Sequence, residues 1–354
     1  MEESSRPRTV VVLGAGVSGL SCAVSIKEAC PEVEVELVSE TFSPHTTGDG
    51  SAGFWIPYIL GDTSISLIRE TCKATYDYLI DLAFDAQGPA VGVQQISGYT
   101  LFTYEEEKYE LFHDLVDGYR ILQPSELKKF PAAKSGYFYT SVQVNTVVFL
   151  PWLMQKFKSM GGKVRCAKVD SLKEFSGQCD VIVNCCGLGS KQLLNDQQMV
   201  PVRGQVLRVS APWVKHFYLL KNADGNLLSY ILPSTNEVVV GGTAEKGVWD
   251  TTCTEEDSQK IWTAATDFLP MLKEAKILRP WAGLRPGRSS LRLEKEELEF
   301  DGQPMKVVHN YGHGGAGVTL FHGCAQRVKD MVKECLRPEA SSSSTHKAAA
   351  KSKL

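Results

Sequence analysis

From Arg8 to Gly14 the chain is a nearly continuous run of β-branched and apolar residues, the pattern of a parallel strand buried on both faces. The turn Gly14-Ala15-Gly16-Val17-Ser18-Gly19 follows, and small and apolar residues at helical spacing then predict a helix through about Ala29. Val33, Val35 and Leu37 alternate with Glu34 and Glu36, which predicts a second strand ending at Glu40. Strand, turn, helix and strand over this length make one βαβ unit.

The remaining pattern extends this unit. Residues 46–53, TTGDGSAG, read as a small polar loop, too flexible to exist for packing alone. A helix is expected over 64–83, a strand over 95–104, and a strand that turns into a helix near Val147 in YFYTSVQVNTVVFLPWLMQKFKSMGG. DVIVNCCGLGS, 180–190, is a second apolar strand ending in a small-residue turn. VPVRGQVLRVSAPW and SYILPSTNEVVVGGT alternate with period two and carry hairpin signals. Thr254 caps a helix with acids in its first turn. WAGLRPGRSSLRLE reads as extended, and MKVVHNYGHGGAGVTL as strand, glycine-rich loop and a helix reaching about Leu336. The two glycine-rich ends lie far apart in sequence. An α/β nucleotide domain assembled from three segments, with antiparallel strands inserted between them, follows from that order.

Composition narrows the function. A net charge of −3 offers no basic surface to nucleic acid, and no apolar run reaches the ~18 residues that span a bilayer. The polar start MEESSRPRT lacks the apolar stretch of a secretory signal. Ten cysteines are scattered without a CxxC pair, although Cys185 and Cys186 are adjacent, so free thiols are expected rather than a disulfide framework or a metal site. ASSSSTHKAAAKSKL cannot bury a core and reads as a flexible tail. Its last residues, Ser352-Lys353-Leu354, form the tripeptide address read by the peroxisomal import receptor, where peroxide-producing oxidases are often kept.

In the first turn, Gly14 permits the tight bend, Gly16 lets backbone approach a pyrophosphate, and Gly19 lets helix and strand pack closely. The helix N-terminus supplies N–H donors to the phosphates. Glu40 is placed to accept both hydroxyls of an adenosine ribose and to repel a 2′-phosphate, which disfavours NADP. The motif itself leaves NAD and FAD both open. The further loops TTGDGSAG and GHGGAG tilt the choice to FAD, because a second helix N-terminus, behind Gly314, Gly315 and Gly317 and starting near Val318, suits the edge of a reduced flavin ring.

GAGVSGLS, HTTGDGSAG, NCCGLGS, VPVRGQVLRVSAPW, GLRPGR with LRLE, and HNYGHGGAGVT stand in an order and spacing that resembles the D-amino-acid oxidase family, over about residues 8–336. The resemblance implies a Rossmann-like FAD-binding domain (8–50, 145–200 and 282–338) beside a substrate domain with a mixed and antiparallel sheet (51–144 and 201–281), with 339–354 as tail. It implies oxidation of a D-amino acid to an imino acid, hydrolysis to a 2-oxo acid and ammonia, and reoxidation by O2 to hydrogen peroxide. If the bound amine is neutral, its lone pair drives the hydride to flavin N5 and no side-chain base is needed.

Residue by residue, the resemblance makes Arg285 the partner of the substrate carboxylate, a role its guanidinium fork suits. Tyr230 is the hydroxyl donor to that carboxylate, and Gly315 the backbone carbonyl that holds the amine. The implied FAD set is Gly14, Ala15, Gly16, Val17, Ser18, Gly19, Glu40, Thr46, Thr47, Gly48, Ala52, Gly53, Val169, Gly314, Gly315, Gly317, Val318 and Thr319. Arg288 and Arg292 read as structural or surface arginines, and His313 as a loop hydrogen-bonding residue.

ELKKFP, FLPWL, GLGSKQL and Ile56 resemble the D-aspartate oxidase branch, which favours D-aspartate and D-glutamate. Yet Ala244 follows GGT where that branch carries an arginine, and in the loop after His216-Phe217 only Lys221 is cationic. That loop, 216–228, is longer, like the lid of the neutral-substrate branch, although Asn226 stands where that branch has a lid tyrosine. The overall resemblance favours D-aspartate and D-glutamate as substrates; the alternative it leaves is a preference for neutral D-amino acids, because Ala244 replaces the acidic branch's arginine, unless Lys221 or another cation reaches the pocket. An NAD-dependent dehydrogenase, a glycine or sarcosine oxidase relative and a non-catalytic flavin binder remain as rival readings.

Overall fold

The computed structural model describes residues 6–106 and 108–337. The tail with Ser352-Lys353-Leu354 lies outside the described residues. Two sheets carry the fold. The first has six strands in the order Arg292–Phe300, Gln303–Tyr311, Val181–Asn184, Thr9–Leu13, Glu34–Ser39 and Lys163–Cys166. All neighbours are parallel except the hairpin of the first two. The VVVL run explains its place at the centre. Val10 and Val12 enter the core shared with the helices Val17–Ala29, Thr146–Ser159 and Gly317–Leu336, while Val11 and Leu13 pack on the other face with Leu172, Phe175 and Ile182.

The second sheet has nine strands, in the order Glu245–Lys246, Val200–Ser210, Val238–Gly241, Leu227–Pro233, Phe217–Lys221, Val93–Phe102, Ser135–Val144 and Asp117–Ile121, with Lys276–Gly287 also paired to Val200–Ser210. Its pairings are antiparallel apart from Val93–Phe102 with Phe217–Lys221. One face packs on the amphipathic helix Glu255–Phe268 through Leu207, Val209, Ile231, Val240, Ile261 and Ala265. The other faces the first sheet's helices and the cavity between. This is the α/β architecture expected from the sequence, with a mostly parallel sheet beside a mixed one.

Four local features depart from the sequence reading. Lys163–Cys166 and Asp117–Ile121 are edge strands whose residues are mostly exposed, so they carry no apolar signal. The first is joined to its neighbour by Lys163–Glu34 (2.9 Å) and Arg165–Glu36 (3.0 Å) ion pairs. The 46–53 segment is not pliable. Thr46 donates through both its backbone N and its hydroxyl to Asp49 Oδ2, at 2.9 and 2.7 Å, and caps the short helix Thr47–Gly50. The supposed lid at 216–228 is a strand hairpin whose turn is closed by Asn222 N to Asn226 O at 3.0 Å and Asn226 N to Asn222 Oδ1 at 2.9 Å.

Candidate active site

One cavity of about 420 Å³ collects glycine-rich segments from both ends of the chain. The Thr9–Leu13 strand runs into Gly14, whose φ of +97° is left-handed, and Gly14 N donates to Val38 O at 2.8 Å. A Cβ on Gly19 would overlap Gly14 O, so the helix can press on the turn only with glycine there. The helix Val17–Ala29 opens from Gly16 and the helix Gly317–Leu336 from Ala316, and neither has a capping side chain. Their first-turn N–H groups and positive dipole ends are therefore available where Gly16, Val17 and Ser18, and Gly317 and Val318, line the cavity.

Between these helix ends lie Thr46, Thr47, Gly48, Ala52 and Gly53, held from behind. Arg208 Nη2 donates to Gly50 O at 2.8 Å and to Ser51 O at 3.3 Å, and Gln143 Nε2 to Ala52 O at 3.2 Å. On the far side, Gly314 N donates to Pro286 O at 2.9 Å and Gly315 N to Tyr58 O at 3.1 Å, which ties the second glycine loop to the Lys276–Gly287 strand and to the segment that follows the 46–53 loop.

The sheet floor carries the groups for a carboxylate. Cross-strand pairing puts Trp281, Val206, Gly241, Tyr230 and Leu219 opposite one another in a single row, so all five share a face. Arg285 lies on that face, four residues beyond Trp281 on its strand, and its Nη1 donates to Thr243 O at 3.2 Å. Cβ atoms on Gly204 or Gly241 would overlap the Arg285 guanidinium or the Tyr230 ring, so the two glycines clear the space these side chains fill. Arg285 forms no ion pair with a carboxylate among the described residues, and no aspartate or glutamate lines the cavity.

Tyr58 completes this group. It lines the cavity with Arg285 and Tyr230, and burial pushes its phenol up against the opposing pull of Arg285, so it stays a hydroxyl donor. The sequence reading missed it. The only available signal was an aromatic close behind the 46–53 loop.

The structure brings together Tyr230, Arg285, Gly315, Gly14 to Ser18, Thr46 to Gly48, Ala52, Gly53, Gly314, Gly317 and Val318. Gly19, Glu40, Val169 and Thr319 are not on the wall. Glu40 is exposed, although its neighbours Ser39 and Thr41 line the cavity, and Val169 packs against the Leu172 and Phe175 cluster. Thr319 spends its hydroxyl on Ile56, donating to the carbonyl at 2.8 Å and accepting from the N–H at 3.1 Å.

His313 differs from the expectation of a hydrogen-bonding loop residue. Its ring is buried, Nε2 has no partner among the described residues, and burial lowers its pKa to about 4. A buried polar nitrogen without a partner on a cavity wall is a position for a ligand contact. Together with two uncapped helix ends on one wall, it fits a dinucleotide with a polar ring at its far end. Lys221 does not reach the cavity: it pairs with Glu110 over the Phe102 ring.

Behind the glycine loop, Arg288 pairs with Asp196 at 2.9 Å, and Asp196 also accepts from the Tyr311 hydroxyl at 2.9 Å. Arg292 donates to the same hydroxyl at 2.9 Å and pairs with Glu294 and Glu296, and Glu296 meets His309 Nε2 at 2.9 Å. This network fixes the strand end from which the loop springs, and the two arginines are structural as expected. All ten cysteines are unbridged.

The model of the FAD dependent oxidoreductase (DAO) family matches residues 9–331. A human D-aspartate oxidase is 39% identical over 328 residues, covering 92% of this chain and 95% of its own length. A D-amino acid oxidase of Dugesia ryukyuensis is 38% identical over 333 residues, with 92% and 98% covered. Among solved structures, glycine oxidase from Geobacillus kaustophilus superposes with a TM-score of 0.73 at 18% identity, covering 92% of this chain and 95% of that one, a likeness of fold.

Proposed function

The chain belongs to the FAD dependent oxidoreductase (DAO) family, with FAD as its cofactor, and from that premise we propose that it carries out the oxidative deamination of D-amino acids. The observation that carries the reading is the unpaired Arg285 guanidinium beside Tyr230 and Tyr58, in the same cavity as two uncapped helix N-termini. Family membership leaves no place for the NAD-dependent rival.

Bound FAD supplies the hydride acceptor and passes the electrons to O2, which gives hydrogen peroxide. The Gly14–Ser18 turn with its helix end, Thr46 and Thr47, and the Gly314–Val318 segment would hold it, and His313 Nε2 faces the same space. Gly19 contributes by close packing on the turn and Thr319 by locking Ile56, while the adenosine contacts proposed for Glu40 and Val169 rest on the family resemblance, since neither lines the cavity.

For the substrate, Arg285 holds the α-carboxylate as a fork, and the Tyr230 and Tyr58 hydroxyls donate to it. The Gly315 carbonyl accepts from the amine. Fixing carboxylate and amine while the side chain fills the remaining space leaves one enantiomer with its Cα–H in the reactive direction. As the hydride leaves Cα, the amine lone pair closes the C=N bond, and water then releases 2-oxo acid and ammonia. No carboxylate base lines the cavity and the His313 ring is held neutral, so the arrangement suits an amine that arrives deprotonated.

The sheet membership of the strands supports the proposed division into an FAD-binding domain of three segments and an inserted substrate domain. Delivery to the peroxisome through Ser352-Lys353-Leu354 belongs to the same reading, supported by the tripeptide and by the peroxide product. The test of function is an anaerobic visible spectrum of the purified holoprotein. Bleaching of the flavin band by D- and not L-amino acids is expected. A flavin band that no amino acid bleaches overturns the oxidase reading in favour of a binding protein.

A further inference from the structure

The substrate carries a carboxylate at Cα, and the fate of a second carboxylate is a question of charge count. Arg285 is the one arginine or lysine among the described residues that line the cavity, and no carboxylate among the described residues pairs with it. One unpaired cation answers one carboxylate.

The neighbouring cations are already spent. Arg208 lies two residues from Val206 on the same strand, so it belongs to the same face of the sheet. Its guanidinium is 8% exposed, donates to the Gly50 and Ser51 carbonyls, and pairs with Glu237 at 3.2 Å. Glu237 also takes Arg279 at 3.1 Å. Lys221, on the strand beside Tyr230, is paired with Glu110 away from the cavity. His313 is held neutral, and His45 directly precedes Thr46 and Thr47 among the cofactor-holding segments.

Apart from Arg285 and Tyr58, the wall around Tyr230 is hydrocarbon. Leu219 sits directly opposite it on the next strand and Val206 is in the same cross-strand row. Leu232 follows on the same face, and Leu227 and Phe54 close the wall. Leu219, Val206 and Leu232 are each under 5% exposed, so the wall excludes the water that would otherwise solvate a charge. A carboxylate placed there loses its hydration and gains no partner, whereas an aliphatic side chain buries apolar surface on both sides.

We propose that the site selects D-amino acids with uncharged, chiefly aliphatic side chains and discriminates against D-aspartate and D-glutamate, although the human D-aspartate oxidase is among the chain's relatives. This rests on the reading of the cavity as a D-amino-acid oxidase site.

The test compares D-leucine, D-asparagine and D-aspartate as reductants of the holoenzyme. D-asparagine and D-aspartate have nearly the same shape and differ in charge. The same preparation is titrated calorimetrically with 4-methylpentanoate and succinate, the analogues of leucine and aspartate that lack the amine. A kcat/KM for D-leucine and D-asparagine at least about tenfold above that for D-aspartate, with 4-methylpentanoate binding more tightly than succinate by a similar factor, is the expected result. D-aspartate equal to or faster than D-asparagine overturns the proposal and leaves D-amino-acid oxidation standing. If no D-amino acid is oxidised but 4-methylpentanoate still binds in preference to succinate, the oxidase reading fails while the charge selectivity of the cavity holds. Equal binding of the two acids overturns the selectivity whatever the enzyme oxidises.

Discussion

The Arg285 guanidinium occupies the space that Gly204, on the adjacent strand, leaves by having no side chain. The overlap that a methyl at 204 would create is with the free end of a long flexible side chain, not with backbone. Gly204→Ala is therefore expected to fold with little loss of stability while turning Arg285 away from the substrate carboxylate. The KM for D-amino acids should rise by roughly tenfold or more, and FAD content should stay unchanged. Steady-state kinetics and the flavin-to-protein absorbance ratio of the purified variant check both halves. Unchanged KM would mean the guanidinium has another place from which to bind.

Replacing Arg285 by Lys keeps the charge and removes the fork. A point charge on a floppier stem loses one of two parallel hydrogen bonds and the alignment they impose, for an expected fall of ~100-fold in kcat/KM, about 3 kcal/mol. Tyr230→Phe removes one neutral donor to a charged acceptor and should cost roughly tenfold. If the two hydroxyls share the carboxylate, Tyr58→Phe lowers kcat/KM by a similar factor. The double Tyr variant in a mutant cycle then shows coupling, because Tyr58 interacts with both Arg285 and Tyr230.

How much of this could be read in advance depended on burial. The Thr9–Leu13 strand, its turn and its helix were legible because a strand buried on both faces and a helix packed on a glycine turn write strong, redundant patterns. The exposed edge strands Lys163–Cys166 and Asp117–Ile121 write none, since solvent tolerates any polar residue there. Arg285 and Tyr230 were reached through family blocks, and the cavity brings both together. Tyr58 was not reached, because its role depends on the Gly315 backbone lying against it across more than half the chain. Lys221 is left open by the sequence. Its charge was visible in sequence, but its pairing with Glu110 is a tertiary fact that no local pattern records.

Acid should weaken the fold through its buried imidazoles. Burial holds His313 and His322 neutral down to about pH 4, whereas in the unfolded chain each takes a proton near 6.5. Above 6.5 both states are neutral and the groups contribute nothing to the pH dependence. As pH falls from 6.5 toward 4 the unfolded state binds more protons, so stability drops through that window, by up to roughly 3 kcal/mol for the fully buried His313. His322 stacks flat on Tyr78 at 4.0 Å, so His322→Phe keeps the stack and deletes the titration. The thermal midpoint of the holoprotein should fall less between about pH 7 and about pH 4.5 in this variant than in the parent. An identical fall in both would exclude His322 from the acid response.

Lys221 provides the complementary case, a cation outside the cavity wall. Its ammonium lies over the Phe102 ring, 5.6 Å from the centroid, and pairs with Glu110, and both partners' side chains are less than one-fifth exposed. Lys221→Met removes the charge but keeps the aliphatic stem that packs there. The Glu110 carboxylate is left mostly buried and without its partner, which should cost about 1–3 kcal/mol of stability, visible as a lower thermal midpoint. The ratio of D-aspartate to D-leucine kcat/KM should stay within about twofold of the parent, because no charge leaves the cavity wall. A collapse of that ratio toward D-leucine alone would place Lys221 in contact with the substrate side chain. It would require the Glu110 pair to open on binding, and Glu110→Gln, which frees Lys221, would then raise the ratio instead.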